Sequence, residues 1–174
     1  TEPYKRDLSG RGFDPDRLVS EWGLLQTGPV SRLDGINYSH RILIPIRWDG
    51  RVVSFQTRDI TDHGTPKYLA CPKQREEVHH KHILYGKQEA WTNLPALIVV
   101  EGVTDVWRFG PGAVATFGTE FTMEQVLALA HHHDRFIVVY DNEPQAQRQA
   151  RLLATKLRAL GKEARTETVT TDPG

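Results

Sequence analysis

Sulfur is scarce in this 174-residue sequence, which holds one cysteine, Cys71, and one methionine. A single thiol closes no intramolecular disulfide and cannot build a Cys₄ or Cys₂His₂ zinc module within these residues, so a reducing, cytoplasmic setting is expected. Long apolar runs are missing as well. None approaches the length of a membrane-spanning helix, no signal peptide opens the chain, and no membrane partner is expected. Excess charge of either sign is also lacking: Lys plus Arg equals Asp plus Glu at 22 each, so only the distribution of charge can argue for a nucleic-acid partner. There is no internal repeat and no low-complexity tract. With 39% hydrophobic and 25% charged residues the composition is that of an ordinary soluble protein, large enough for one good domain or two small lobes. The chain begins at Thr1 without Met and ends Asp172-Pro173-Gly174, which is expected of a fragment cut from a longer protein.

What the sequence does have is acids at strand ends. Residues 96–102 (ALIVVEG) and 136–143 (FIVVYDNE) are aliphatic runs too continuous for half-exposed strands, and both end abruptly in carboxylates. Such runs read as parallel strands covered on both faces. Open α/β sheets place their sites beyond the carboxyl ends of the strands, so Glu101, Asp141 and Glu143 would converge if the two strands are neighbours. Clustered carboxylates repel unless a cation holds them, and hard oxygen ligands suit Mg²⁺ or Mn²⁺. An acid after a strand can also be only a turn former or a helix N-cap. Two such strands in one domain favour the metal reading.

The two halves of the chain differ. From Pro95 onward strands and helices alternate: strand 96–100, helix 104–109, a break at Pro111-Gly112, and strand 113–117. Thr122 and Gln125 form a capping box before the apolar positions Val126, Leu127, Leu129 and Ala130. Strand 136–140 leads to a helix opened by Pro144 and closed by Gly161, with Ala146, Ala150, Leu153, Leu157 and Leu160 on one stripe, and a strand over 164–169 follows. This βαβαβαβ order predicts an α/β domain, a mostly parallel sheet flanked by helices, over 93–174. Residues 1–92 read as a smaller mixed α+β lobe, with strands 41–48 and 51–57 joined at Asp49-Gly50 and a helix capped by Asp14 that runs from Pro15 toward Trp22.

Basic residues gather in the first half and just after it: Arg41, Arg47, Arg51, Arg58, Lys67, Lys73, Arg75, Lys81 and Lys87. Interleaved with aromatics, Lys67-Tyr68 and 81–86 (KHILYG) are candidate phosphate and base contacts, because cations neutralise phosphates and rings stack on bases. An ordinary solvated surface is the competing reading. The histidine run 131–133 is not expected to bind a metal, since consecutive helical residues point apart, and histidines 79, 80 and 82, with no cysteines nearby, are not expected to bind zinc, although His80 could touch a phosphate.

The acidic strand ends resemble the TOPRIM domain. VVEGVTDV (99–106) is similar to the primase form of its motif, and YSHRILIPI (38–46), GRVVSFQTR (50–58), PKYLACP (66–72) and HKHILYG (80–86) come in the order seen in the RNA polymerase core of DnaG-type primases. The likeness runs from about Arg11 to the C-terminus, and a basic lobe ahead of the acidic motif is more specific than that motif alone.

The resemblance implies a TOPRIM-type catalytic subdomain at 93–174, truncated at its C-terminus. It implies synthesis of short RNA primers on single-stranded DNA from ribonucleoside triphosphates, by two-metal nucleotidyl transfer during DNA replication. Glu101, Asp141, Glu143 and Lys81 would be catalytic. Glu101, Asp105, Asp141, Glu143 and Asp172 would surround two Mg²⁺ or Mn²⁺ ions, and Arg58, Lys67, Tyr68 and Lys81 would contact template or nucleotide. A replicative helicase is an implied partner, as is a zinc-binding domain elsewhere in the parent protein. A phage or mobile-element source fits the compact, divergent motifs. Where the family usually has Asp-Gly-Asp, this chain has Asp141-Asn142-Glu143. The rival expectations are a TOPRIM metal-dependent nuclease and a catalytically inert DNA-binding replication adaptor.

Overall fold

The type I′ turn at Asp49-Gly50 sets the first half of the molecule. Both residues have positive φ, 48° and 75°, a combination that Gly adopts freely and that matches the twist of the flanking strands. The computed structural model describes residues 2–61, 64 and 66–169. It divides into two compact units, Thr1–His79 and His80–Gly174. This division falls earlier than the expected boundary at 92/93.

The first unit opens with helices α1 (Pro3–Gly10) and α2 (Pro15–Trp22), followed by strands β1 (Leu25–Gln26), β2 (Arg32–Leu33), β3 (Ile36–Asn37), β4 (Arg41–Trp48), β5 (Arg51–Asp59) and β6 (Tyr68–Ala70). Asp14 caps α2 as the sequence predicts, by accepting the N–H groups of Asp16 and Arg17, and Gly23 at positive φ ends it. The larger sheet has the order β1-β4-β5-β6, antiparallel throughout, while β2 and β3 form a separate ribbon. Ile42, Ile44 and Ile46 alternate into the core of this unit. Pro45, between them, lies beyond the reach of β1, which pairs only with Ile42 and Leu43, so its missing N–H costs no ladder bond. Helix α1 and the short strands carried too little periodicity to be read from the sequence.

The second unit holds β7 (Tyr85–Gly86), α3 (Gln88–Trp91), β8 (Leu97–Val100), α4 (Val103–Phe109), β9 (Ala113–Ala115), α5 (Met123–His132), β10 (Arg135–Val138), α6 (Pro144–Ala159) and β11 (Glu163–Thr166). Its sheet has the order β11-β10-β8-β9-β7. Four strands are parallel, and β7 runs antiparallel on the edge beside β9. The mostly parallel sheet is therefore as expected. Its antiparallel edge explains the earlier boundary, because Tyr85 pairs with Ala115. Leu97, Val99 and Val100 on β8 and Phe136 and Val138 on β10 are buried, as their unbroken aliphatic runs require.

Helix α6 buries Ala146, Ala150, Leu153, Ala154 and Leu157. Leu160, expected on that stripe, is its exposed C-cap, and Leu127 on α5 is exposed as well. The last strand lies at 163–166 and not at 164–169.

Candidate functional site

Strand β8 ends at Val100, and the next residue, Glu101, presents its carboxylate where the strand leaves the sheet. Both carboxylate oxygens are held. The backbone N–H of Asp141 donates to Oε1 at 2.9 Å, and the Thr119 hydroxyl donates to Oε2 at 2.7 Å. The first bond follows from the sheet: β8 and β10 are parallel neighbours with Val138 opposite Val99, so the chain leaving β10 passes the end of β8. A carboxylate offers about four lone-pair directions, so two remain on Glu101 for a cation.

Asp141 and Glu143 are exposed, Glu143 as the N-cap of α6. Asn142 between them donates to the Val169 carbonyl at 2.7 Å, and Gln147 donates to the carbonyls of Tyr140 and Asp141 at 3.0 Å each. The turn after β10 is thus fixed through its backbone. Glu101, Asp141 and Glu143 do not bring three ligand atoms within 4.8 Å of one another. Their donor set is all oxygen and suits a hard divalent cation.

Asp105 serves the turn after Glu101. Its carboxylate accepts the Gly102 N–H at 2.9 Å, closing the first turn of α4. Asp172 lies outside the described residues.

Lys81 belongs to the same unit, and its ammonium points at backbone. It donates to the carbonyls of Glu120 at 2.6 Å, Thr116 at 3.0 Å and Phe117 at 3.4 Å. Burial pushes its pKa below the ordinary lysine value, with the nearby Glu120 charge pulling the other way. The segment it holds contains Phe117 at φ 59°, a strained conformation for a bulky side chain, followed by Gly118 at φ 116°. His80 and Tyr85 pack edge-on against the Phe117 ring, at centroid distances of 5.4 and 6.1 Å.

Buried polar groups complete the frame. Gln125 donates to the carbonyls of Ile83 and Thr116, both at 3.0 Å, while its Oε1 accepts the Thr122 N–H in the expected capping box. The Thr116 hydroxyl lies 3.0 Å from the Gly118 carbonyl and 2.7 Å from the Tyr140 hydroxyl, a pair in which either oxygen can donate. Burial raises the Tyr140 pKa well above the ordinary phenol value, which keeps the proton in place. Sequence reasoning missed Thr119, Thr116 and Tyr140. The short Phe117-Gly118-Thr119 turn after a strand was their one signal.

Of the expected nucleic-acid residues, Arg58, Lys67 and Tyr68 lie in the first unit and Lys81 in the second. Arg58 is 1% exposed; its Nη1 donates to the Tyr68 hydroxyl at 2.8 Å and its guanidinium sits 5.3 Å from the centroid of that ring. These two residues are partners across β5 and β6. Arg58 Nε has no hydrogen-bond partner among the described residues. Lys67 is exposed, and its carbonyl accepts from Arg41 Nη1 at 3.2 Å. Asp59, next to Arg58, is buried; its Oδ2 accepts from the Thr61 N–H and hydroxyl and the Gly64 N–H. The histidine run 131–133 splits: His132 packs edge-on to Trp91, and His133 donates through Nε2 to the Leu94 carbonyl at 2.9 Å.

The chain belongs to the DNA primase catalytic core family, whose N-terminal domain it matches over residues 4–91. It is 38% identical over 153 residues to the DNA primase of Haemophilus influenzae, covering 81% of this chain and 25% of that protein. The chain thus spans about a quarter of the length of that curated relative. Among solved structures it resembles the Aquifex aeolicus primase zinc-binding and RNA polymerase domains, with TM-score 0.84 and 20% identity over 99% of this chain and 51% of that one. It also resembles the DnaG primase catalytic domain bound to ssDNA, with TM-score 0.80 and 23% identity over 98% of this chain and 65% of that one. These two likenesses show the fold alone, a mixed α/β fold like that of the DnaG catalytic core.

Proposed function

We propose that this chain is the nucleotide-polymerising core of a DNA primase, which copies single-stranded DNA into a short RNA primer from ribonucleoside triphosphates. The observation that carries the reading is the junction of Glu101 with the backbone of Asp141. It sets the carboxyl ends of β8 and β10 side by side, each followed by acids. On this reading His80–Gly174 is a TOPRIM-type subdomain and Thr1–His79 the basic lobe. Family membership, the primase relatives and a fold shared with a catalytic domain bound to ssDNA support it.

Glu101, Asp141 and Glu143 would hold Mg²⁺ or Mn²⁺. Two such ions bound there would supply activation of the primer 3′-hydroxyl and neutralisation of charge on the leaving pyrophosphate. The chain's own contribution is placement. Thr119 and the Asp141 N–H fix Glu101, and Asp105 fixes the turn that follows it. Gln147 and Asn142 hold the backbone under Asp141 and Glu143. In the other unit Lys67 supplies an exposed charge for a phosphate. The Tyr68 ring, with Arg58 already against it, offers a stacking surface for a base. A zinc-binding domain, which would choose where priming starts, and a replicative helicase would be partners supplied from outside these residues.

The test is to incubate the purified chain with single-stranded DNA, labelled ribonucleotides and Mg²⁺ or Mn²⁺, with Glu101→Gln alongside. Metal-dependent oligoribonucleotides made by the parent and absent from the variant are the expected result. Equal product from both removes Glu101 from the site.

A further inference from the structure

We propose that Lys81 acts on the site through Glu101 and not by contacting the nucleotide: its ammonium holds the Phe117–Gly118 turn that delivers the Thr119 hydroxyl to Glu101. Lys81 and Thr119 are then a coupled positioning pair for the carboxylate. The inference rests on the reading of Glu101 as a metal ligand.

Three observations carry it. An ammonium has three protons, and three carbonyls, those of Glu120, Thr116 and Phe117, take them. A phosphate could recruit this group only by releasing the turn. Next, the turn clasps Glu101 twice: the Gly118 N–H donates to its main-chain carbonyl at 2.8 Å, and the Thr119 hydroxyl donates to its side chain at 2.7 Å. Finally, Phe117 in the left-handed region persists only where its surroundings over-determine it. Those surroundings are Lys81, Gln125 on the Thr116 carbonyl, and the rings of His80 and Tyr85.

Atoms that orient a metal ligand without touching the metal are worth about ten- to a hundredfold in affinity. Thr119 reaches Glu101 from the turn that Lys81 holds at three carbonyls. Loss of Lys81 therefore removes the Thr119 contribution along with it.

Mn²⁺ binding to the purified chain, read by electron paramagnetic resonance, tests this with Lys81→Met, Thr119→Val, Thr119→Ser, the Lys81→Met/Thr119→Val double variant and Glu101→Gln as reference. Lys81→Met and Thr119→Val are each expected to weaken Mn²⁺ binding about tenfold, the double variant no more than Lys81→Met alone, and Thr119→Ser to return to within about twofold of the parent. In primer synthesis the loss should fall on kcat, with KM for the nucleotide near the parent value. Additive losses in the double variant overturn the coupling. So does a raised nucleotide KM in Lys81→Met with parental Mn²⁺ affinity. If Lys81→Met fails to fold, the Thr119 variants decide: parental Mn²⁺ affinity in Thr119→Val overturns the proposal, and a loss restored by Thr119→Ser supports it. Parental Mn²⁺ binding in Glu101→Gln overturns both this inference and the metal-site reading, whereas its loss there with parental binding in Thr119→Val overturns the inference alone.

Discussion

The backbone N–H of Asp141 lies 2.9 Å from Oε1 of Glu101, so two residues forty positions apart are joined by a main-chain donor and not by their charges. The acids therefore do not need a cation to be brought together. Glu101→Gln keeps an acceptor for one of its two donors and faces the other with an amide. It should cost about 1–3 kcal/mol at most and leave a cooperative melting transition. Primer synthesis should disappear. Thermal denaturation and the priming assay, run on the same preparation, separate the two effects.

Asp59 gives the first unit a pH signature. Burial pushes its carboxyl pKa up, but donors from Thr61 and Gly64 and the Arg41 charge outweigh that and hold it below the ordinary value. A group whose folded pKa is depressed contributes stability above its unfolded pKa of about 3.9, and that contribution is lost as pH falls through the folded value. Asp59→Asn should thus destabilise by about 2 kcal/mol at pH 7, with the gap narrowing below about pH 4. Urea unfolding across pH 3 to 7 checks the sign; a gap that widens in acid would contradict it.

Lys67→Ala should weaken single-stranded DNA binding and lower the slope of log affinity against log salt by about one, the signature of one lost phosphate contact. A salt titration of binding anisotropy measures it. Unchanged slope and affinity would remove Lys67 from the contact surface.

Leu153 is fully buried on α6. Leu153→Ala should cost about 2–5 kcal/mol through lost burial and the cavity left behind. Its measured denaturation midpoint tests whether α6 packs as described.

Periodicity and turn chemistry made much of this fold legible. Asp14-Pro15, Asp49-Gly50 and Thr122 with Gln125 are local signals, each satisfied by atoms a few residues away, and each element formed where they indicate. The buried parallel strands were equally plain, since an unbroken aliphatic run has no other stable place in a small domain. Glu101, Asp141 and Glu143 could be named because they end those runs. The support around them could not. Lys81 reaches carbonyls thirty-five and more residues away, and a carbonyl has no side-chain identity to read. Gln125 announced only half its work, the cap, and not its bonds to Ile83 and Thr116. Leu160 had the right spacing for the α6 stripe but falls where the helix has already ended, so geometry overruled the pattern.

The two rims of the five-stranded sheet are guarded by different means. On one side β11 alternates outward-facing Glu163 and Arg165 with half-buried neighbours, and charges on an open rim discourage another strand from adding to it. On the other side β9 is entirely buried and uncharged, and among the described residues its guard is β7, two residues drawn from ahead of position 92. A piece cut to begin at 93 would start life without that guard. It would offer the bare row of β9 amides and carbonyls to its own copies, and self-association, more than loss of any acid, would be its first failing.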